Sequence, residues 1–196
     1  MLYDRDIREP LFEFLEERYG KIRILEEKKM GKSRADIVMV TPDAVTGIEI
    51  KSDADTYTRL KRQVRDYNQY YDSNYIVAGA KHAMHIEEHV PEWWGIIIAE
   101  MEESLVDFYV LREAGRNPKL NLKKKLGILW RPELAHIQEL NKMPRYKEKS
   151  KAFVTEKILL KVSPEVLKAQ ISEELFERDY TTIEEHIREY KKNMRR

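Results

Sequence analysis

Apolar residues near the start of the chain recur with a helical period. The positions concerned are Ile7, Leu11, Phe14 and Leu15. Their spacing predicts an amphipathic helix over residues 7–19, with Asp6 as its N-cap and Gly20 as its C-terminal stop. Arg8 falls inside the apolar arc of this helix, which indicates that its guanidinium is buried or faces a site.

Three short segments rich in strand-forming residues follow the helix, and tight turns separate them. The segments are residues 21–29, 34–40 and 47–52. Gly31-Lys32 predicts the first turn and Pro42-Asp43 the second. Strands that are this close in sequence pair as an antiparallel meander.

The later pattern alternates between helix and strand. We predict a helix over residues 54–71, capped by Asp53 or Asp55, and a strand over residues 74–80. The consecutive apolar residues of that strand indicate burial on both faces and a crossover from the third strand. A short helix, two strands and four helices are then predicted at residues 86–92, 95–99, 105–112, 131–141, 149–161, 164–178 and 182–193.

This order of elements predicts an α/β fold. Its core has the order αβββαβ with a mixed sheet, a further β-β extension and a C-terminal helical appendage. We place the boundary after residue 115. Residues 1–115 then form the first domain, and residues 116–196 form a basic linker with the helical appendage.

Composition excludes several classes of protein. The 42% hydrophobic and 36% charged residues are typical of a globular protein with a very polar surface. The absence of Cys excludes disulfides and thiolate metal sites and favours the cytoplasm. The longest apolar stretch, residues 93–99, is too short to span a bilayer. No glycine motif for nucleotide phosphates is present. We therefore expect a cytoplasmic protein without a membrane partner or a small-molecule organic cofactor.

Net charge is only +1, so the total gives no argument for nucleic-acid binding. Residues 115–151, however, contain eleven basic residues against three acids. That local excess is a candidate phosphate-facing patch, and an ordinary solvated face is the alternative.

The candidate chemistry lies on the second and third predicted strands. Glu49 and Lys51 share one face of the third strand, because side chains alternate along a strand. Asp36 precedes an apolar run on the second strand, which is an unusual place for an acid. If the hairpin brings Asp36 beside Glu49, the two carboxylates would suit Mg²⁺ or Mn²⁺. The alternative is a surface ion pair of Lys51 with either acid.

The following helix carries a polar and aromatic stripe at strict i+4 spacing. Its members are Asp55, Arg59, Gln63, Tyr67 and Tyr71. Amphipathic helices ordinarily place apolar residues along such a stripe. The stripe therefore favours a surface that receives a polar ligand, such as a phosphate or a base.

Asp36, the Glu49-Ile50-Lys51 run and the Gln63-x-x-x-Tyr67 pair resemble the PD-(D/E)XK (restriction-endonuclease-like) nuclease superfamily in its RecB-like variant. Residues 5–115 carry this resemblance, and they also resemble a poorly characterised prokaryotic and phage group within it. Ala35 stands where the motif proline is expected, a departure that is common in the superfamily.

The resemblance implies catalytic roles for Asp36, Glu49 and Lys51. It also implies that both acids and the Ile50 carbonyl bind the metal. Supporting or nucleic-acid-binding roles fall to Arg59, Gln63 and Tyr67.

A fourth acidic ligand stays open between two residues. Glu9 lies beside the apolar arc of the first helix, at the end that should approach the cleft. Glu27 would pair directly with Asp36 across a two-residue turn at Gly31-Lys32, and a slip of one residue would remove that arrangement.

We therefore expect a Mg²⁺-dependent nuclease that hydrolyses DNA phosphodiester bonds. The alternative is a catalytically silent nucleic-acid-binding or regulatory module of the same fold. DNA is the expected partner, and a homodimer partner is left open. DNA against RNA, and endonuclease against exonuclease, are also left open.

Overall fold

Six strands pair in sequence order into one open, mixed sheet. This computed structural model describes residues 1–178. Its α-helices are α1 (Asp4–Tyr19), α2 (Leu60–Tyr70), α3 (Leu122–Leu126), α4 (Arg131–Leu140), α5 (Lys151–Lys161) and α6 (Pro164–Phe176). Its strands are β1 (Arg23–Met30), β2 (Ser33–Val40), β3 (Val45–Lys51), β4 (Ser73–Gly79), β5 (Gly95–Glu102) and β6 (Leu105–Arg112).

The order αβββαβ followed by two strands is the predicted one, and the α/β fold class is confirmed. β1, β2 and β3 form the antiparallel meander. β4 joins β3 in parallel after the α2 crossover, because a parallel partner needs a long connection that returns the chain to the same end of the sheet. β5 continues in parallel, and β6 closes the far edge antiparallel to it.

Each face of the sheet has its own apolar cluster. On one face, α1 packs Ile7, Leu11 and Leu15 against alternate residues of the sheet, including Ile48 and Ile50. On the other face, α2 and the C-terminal helices cover the intervening residues. Since Ile48 and Ile50 point toward α1, strand alternation turns Glu49 and Lys51 toward α2.

The second cluster crosses the predicted domain boundary after residue 115. It joins sheet residues such as Val38 and Ile76 to α4–α6 residues such as Ile137, Ile158 and Leu167. The division into two domains stays a prediction. In the described part of the chain, the C-terminal helices share a core with the sheet.

Several local predictions were wrong. The first helix begins at Asp4 with Tyr3 as its N-cap, and Asp6 lies in the first turn, where its carboxylate accepts the Tyr3 N–H at 2.9 Å. The predicted helix at 86–92 is only a 3-10 turn over Ile86–His89. The short helix α3 was not predicted. The helix predicted at 182–193 lies outside the described residues.

The start of α2 is the largest departure, because the helix begins at Leu60 and not at residue 54. Asp53 instead accepts the Leu2 N–H at 2.8 Å, and Asp55 accepts the Ser52 N–H at 2.9 Å. Both carboxylates thus stabilise an irregular loop, since Asp side chains compete with helical hydrogen bonds.

Gly47 allows α2 to lie close to β3. A Cβ atom at this position would lie 2.3 Å from the Tyr71 ring and 2.6 Å from the Tyr67 ring. The two aromatic rings therefore occupy the space that any larger residue would need.

None of the helices in the described residues is long and apolar enough to cross a membrane.

Candidate cation site and basic cleft

Asp36, Glu49 and Lys51 converge where β2 and β3 diverge. The Lys51 Nζ lies 2.8 Å from Glu49 Oε1. Asp36 Oδ2 accepts the N–H of Ile50, the residue between Glu49 and Lys51, and the charge of Glu49 acts on the Asp36 carboxyl group. Glu49 is only 1% exposed and Lys51 4%. The ion pair weighed as an alternative is therefore present, but it is buried.

The position of Asp36 results from a break in the β1–β2 hairpin. Glu27, opposite Asp36, has a left-handed backbone with φ of 53° and is absent from the otherwise regular β1–β2 register. Side-chain alternation also breaks here, because Ala35 packs in the same cluster as Val38. An irregularity of this kind bends a strand and turns a side chain in a new direction.

The Asp36 carboxylate reaches into the gap between the two strands. The β2–β3 ladder ends at the pair Ile37–Ile48, and Asp36 Oδ2 accepts the N–H of Ile50 at 2.8 Å. The N–H and C=O of one strand residue point to the same side of the strand. The Ile50 carbonyl therefore also faces this gap, as a metal ligand at this place requires.

The Tyr67 hydroxyl bridges the same gap from α2. It accepts the Asp36 N–H at 3.1 Å and donates to the Ile48 carbonyl at 2.9 Å. Two backbone groups that the diverging strands would leave unpaired are satisfied in this way.

Gln63 reaches the site one helical turn before Tyr67. Its amide nitrogen donates to Glu49 Oε1, and its amide oxygen accepts from Lys51 Nζ at 3.4 Å. Glu49 Oε1 thus receives two donors. Glu49 Oε2 is buried and has no hydrogen-bond partner in the described part of the chain.

Burial of two neighbouring carboxyl groups changes their proton affinity. The pKa of Asp36 is raised to about 7, first by burial and then by the charge of Glu49, while the Ile50 N–H, Lys51 and Arg8 oppose the shift. Burial also raises the pKa of Glu49, and the charge of Lys51 opposes it. Holding both groups ionised at neutral pH therefore requires additional positive charge.

The residues present fit a divalent cation. A buried, unpartnered carboxylate oxygen of Glu49 lies beside a second carboxyl group, and both supply the hard oxygen ligands that Mg²⁺ prefers. Within residues 1–178, no group of three or more acidic or histidine side chains forms a metal site.

Neither candidate for the fourth acid reaches the site as predicted. Glu9 is exposed on α1. Glu27 lies opposite Asp36, but its carboxylate contacts Arg34 and, at 2.8 Å, the Nη2 of Arg8. The left-handed backbone at Glu27 breaks the pairing on which its prediction depended. Arg8 is the residue that α1 brings to Asp36.

A basic cleft of about 740 Å³ opens beside Asp36 and Gln63. The β1–β2 hairpin forms one wall, and the start of α2 forms the other. The basic residues of the cleft are Lys29, Lys32, Arg34, Arg59 and Arg62. Among the described residues that line the cleft, Asp36 is the one acid. The field of the five basic residues therefore favours an anion that approaches the carboxyl pair.

The predicted stripe on α2 is therefore only partly a ligand surface. Arg59 lies just before the helix and is exposed in the cleft, and Gln63 lies at the base of the cleft. Tyr67 and Tyr71 are fully buried, and Asp55 belongs to the loop. Along the stripe, Arg59 therefore faces the cleft, Gln63 contacts the site, and Tyr67 and Tyr71 belong to the core.

Much of the positive charge of residues 115–151 is used inside the chain. Lys125 is fully buried, and its Nζ lies 2.6 Å from Asp72 Oδ2. Other contacts join Lys123 to Glu156, Arg145 to Glu139, Lys151 to the Gly127 carbonyl and Arg131 to the Tyr146 carbonyl. The sequence analysis did not predict that Lys29, Lys32 and Arg34 line a cleft. The basic run KKMGKSR at residues 28–34 indicated a local excess of positive charge there.

Fold and site together define a mixed α/β protein that holds two adjacent carboxyl groups and a lysine at the base of a basic cleft. The chain belongs to the family of bacteriophage P4 protein cII, whose family model matches residues 2–195.

Among solved structures, SfsA of Pyrococcus furiosus in complex with Ca²⁺ is similar, with 19% identity and a TM-score of 0.32. The similarity covers 54% of this chain and 59% of the SfsA chain, so this chain spans less than two thirds of that structure. No curated protein matches the chain.

Proposed function

We propose that the protein is a Mg²⁺-dependent nuclease of the PD-(D/E)XK type, which hydrolyses phosphodiester bonds in DNA. One observation carries the proposal. A buried carboxyl pair with an unpartnered oxygen lies beside a buried lysine at the base of a cleft with five basic residues. The cleft suits a phosphate backbone, and the carboxyl pair suits a cation.

Each residue of the site has a separate task in this proposal. Asp36, Glu49 and the Ile50 carbonyl would hold Mg²⁺, or Mn²⁺, and the ion would supply charge for the phosphoryl oxygens and activation of water. Lys51 places its ammonium beside Glu49, where it orients the attacking water or stabilises charge on the phosphoryl oxygens. Water attacks phosphorus, the bond to the leaving oxygen breaks, and that oxygen takes up a proton.

Gln63 and Tyr67 position these groups and have no chemical step of their own. Gln63 holds both Glu49 and Lys51, and Tyr67 fixes the gap that Asp36 occupies. Arg59 and the other cleft residues bind the flanking phosphates, and such contacts carry most of the sequence-independent affinity for DNA.

The test incubates the full chain and Lys51→Met with plasmid, linear and branched DNA, in Mg²⁺, in Mn²⁺ or in EDTA. We expect cleavage by the wild type only with a divalent cation, and a loss of at least about a hundredfold in Lys51→Met. Lys61→Met, in the first turn of α2 and lining a separate pocket, is the control and should cleave normally. Cleavage that persists in both EDTA and Lys51→Met contradicts the proposal.

The second candidate is a nucleic-acid-binding or regulatory module of the same fold that does not cleave. The basic cleft alone would suffice for it. Binding of DNA in Mg²⁺ without cleavage of any substrate form would favour this candidate.

A further inference from the structure

Arg8 occupies the place where a fourth acidic ligand was predicted. Its guanidinium extends from α1 to the β1–β2 hairpin, and its side chain is only 17% exposed. Nη2 lies 2.8 Å from Glu27 Oε1 and 4.0 Å from Asp36 Oδ1. A fixed positive charge thus lies between the two carboxylates that a bridging cation would need.

The guanidinium is held on several sides. Nε lies 2.6 Å from Asp4 Oδ2, and Nη1 lies 3.3 Å both from Glu26 Oε2 and from the Asp36 carbonyl. Rotation of this planar group would break its contacts with Asp4, Glu26 and Glu27 at once. Its charge is therefore a permanent part of the site.

We propose that Arg8 is a positioning residue that takes the place of a second cation, so that the site binds one divalent ion and not two. This inference rests on the proposed function. Asp36 has one oxygen on the Ile50 N–H and directs the other toward Arg8. Glu49 keeps an unpartnered oxygen for the single ion. A second ion between Asp36 and Glu27 would be repelled by the guanidinium.

Removal of the charge distinguishes this role from a purely structural one. In Arg8→Gln, Asp36 loses the guanidinium beside it and Glu27 keeps only its contact with Arg34, so the two carboxylates can hold a cation between them. We expect this variant to bind two Mn²⁺ ions per chain, whereas the wild type binds one. A purely structural Arg8 would instead give weaker binding with the stoichiometry unchanged.

The experiment titrates Mn²⁺ into the full chain by calorimetry, and electron paramagnetic resonance counts the free ions. Arg8→Lys keeps the charge and should bind one ion. Arg8→Gln/Glu27→Gln removes the second carboxylate as well and should also bind one ion. Arg5→Gln is the matched control on α1, since Arg5 is 85% exposed, and it should behave as the wild type does.

Each outcome supports or overturns the inference. Two ions bound by the wild type overturn it, and so does a single ion in Arg8→Gln. If Arg8→Gln does not fold, as shown by the absence of a cooperative melt, the inference is judged on the wild type and Arg8→Lys. It is overturned if either of them binds two ions. Wild-type protein that binds no Mn²⁺ at all contradicts the proposed function itself, so the two failures are distinguishable.

Discussion

At the scale of single residues, the site buries charged groups that would be more stable in water. Asp36 and Glu49 are buried beside each other, and one lysine is the only ammonium that Glu49 contacts directly among the described residues. Two ionised carboxylates in this environment repel each other and lack solvation. The folded protein without a cation therefore favours a proton on the pair.

A consequence is that stability without a cation should fall as the pH rises. The pKa of Asp36 is raised from its ordinary value to about 7 in the folded state. A raised pKa stabilises the fold fully below the unfolded value of about 3.8, and this stabilisation is lost as the pH rises through about 7. We expect the melting temperature in EDTA to fall between pH 4.5 and pH 8.

Asp36→Asn should remove much of that pH dependence and raise stability at pH 8, by on the order of 3 kcal/mol, since the amide avoids the buried charge. Its oxygen can still accept the Ile50 N–H. Thermal melts in EDTA at several pH values measure this, with the exposed Asp43→Asn as control. An unchanged pH profile in Asp36→Asn would contradict the raised pKa.

Tyr67 and Tyr71 offer a matched pair for testing the bridge between β2 and β3. Tyr67→Phe removes the hydroxyl that joins the Asp36 N–H to the Ile48 carbonyl, so both buried groups lose a partner. We expect a loss of about 1–3 kcal/mol in the free energy of unfolding.

Tyr71→Phe is the control, because the Tyr71 hydroxyl is buried without a hydrogen-bond partner in the described residues. Its removal should leave stability equal or higher. Urea denaturation measures the free energy of unfolding of both variants. Equal losses would show that the hydrogen bonds of the Tyr67 hydroxyl do not stabilise the fold.

At the scale of elements, the sequence predicted what depends on periodicity. The three meander strands, the buried β4 and the amphipathic α1 follow from local alternation. The hairpin that joins β2 to β3 also brings Asp36 near Glu49 and Lys51, although the final direction of the Asp36 side chain depends on the break at Glu27.

What the sequence did not predict depends on contacts across the chain. Asp53 is held by the amide of Leu2, 51 positions earlier, so the loop before α2 is longer than its helix-like sequence indicates. The left-handed backbone at Glu27 is a single-residue irregularity without a glycine to mark it. The apolar arc of α1 predicts that Arg8 is buried or faces a site, but not that Glu26, Glu27 and Asp36 of the hairpin are its partners.

The start of α2 gives a test of the cleft that is independent of cleavage. Arg59 and Arg62 line the basic cleft, whereas the adjacent Lys61 lies on the other side, in a separate pocket. We expect Arg59→Ala and Arg62→Ala each to weaken DNA binding roughly threefold to tenfold and to lower the salt slope by about 1.

Lys61→Ala removes the same charge from a neighbouring position and should change the affinity far less. Fluorescence anisotropy of a labelled duplex in EDTA, at several salt concentrations, measures all three variants. Equal effects at the three positions would indicate nonspecific attraction and no defined cleft.

At the scale of the whole molecule, the C-terminal helices are bound to the sheet by charge as well as by apolar contacts. Lys125 of α3 is fully buried, and its ammonium contacts Asp72 at the entrance to β4. Asp72 also accepts the Val45 N–H at 2.8 Å, at the start of β3. One ion pair therefore links α3 to the two central strands.

Lys125→Met should cost roughly 3 kcal/mol of stability, because it leaves a largely buried carboxylate without its cation. Lys123→Met is the matched control on the same helix, since Lys123 forms an exposed pair with Glu156 and such pairs contribute little. Urea denaturation of the full chain compares them. Similar urea midpoints for the two variants would show that the Lys125–Asp72 pair contributes no more to stability than the exposed Lys123–Glu156 pair.

The contact of Gly47 with two tyrosine rings has a consequence for how the family can vary. A side chain larger than hydrogen at this position would overlap the rings of Tyr67 and Tyr71, and Tyr67 carries the hydroxyl that bridges the two strands of the site. Among homologues, we expect glycine to be kept wherever both tyrosines are kept. Replacement of the glycine should accompany loss of a ring, so that these three positions are inherited together.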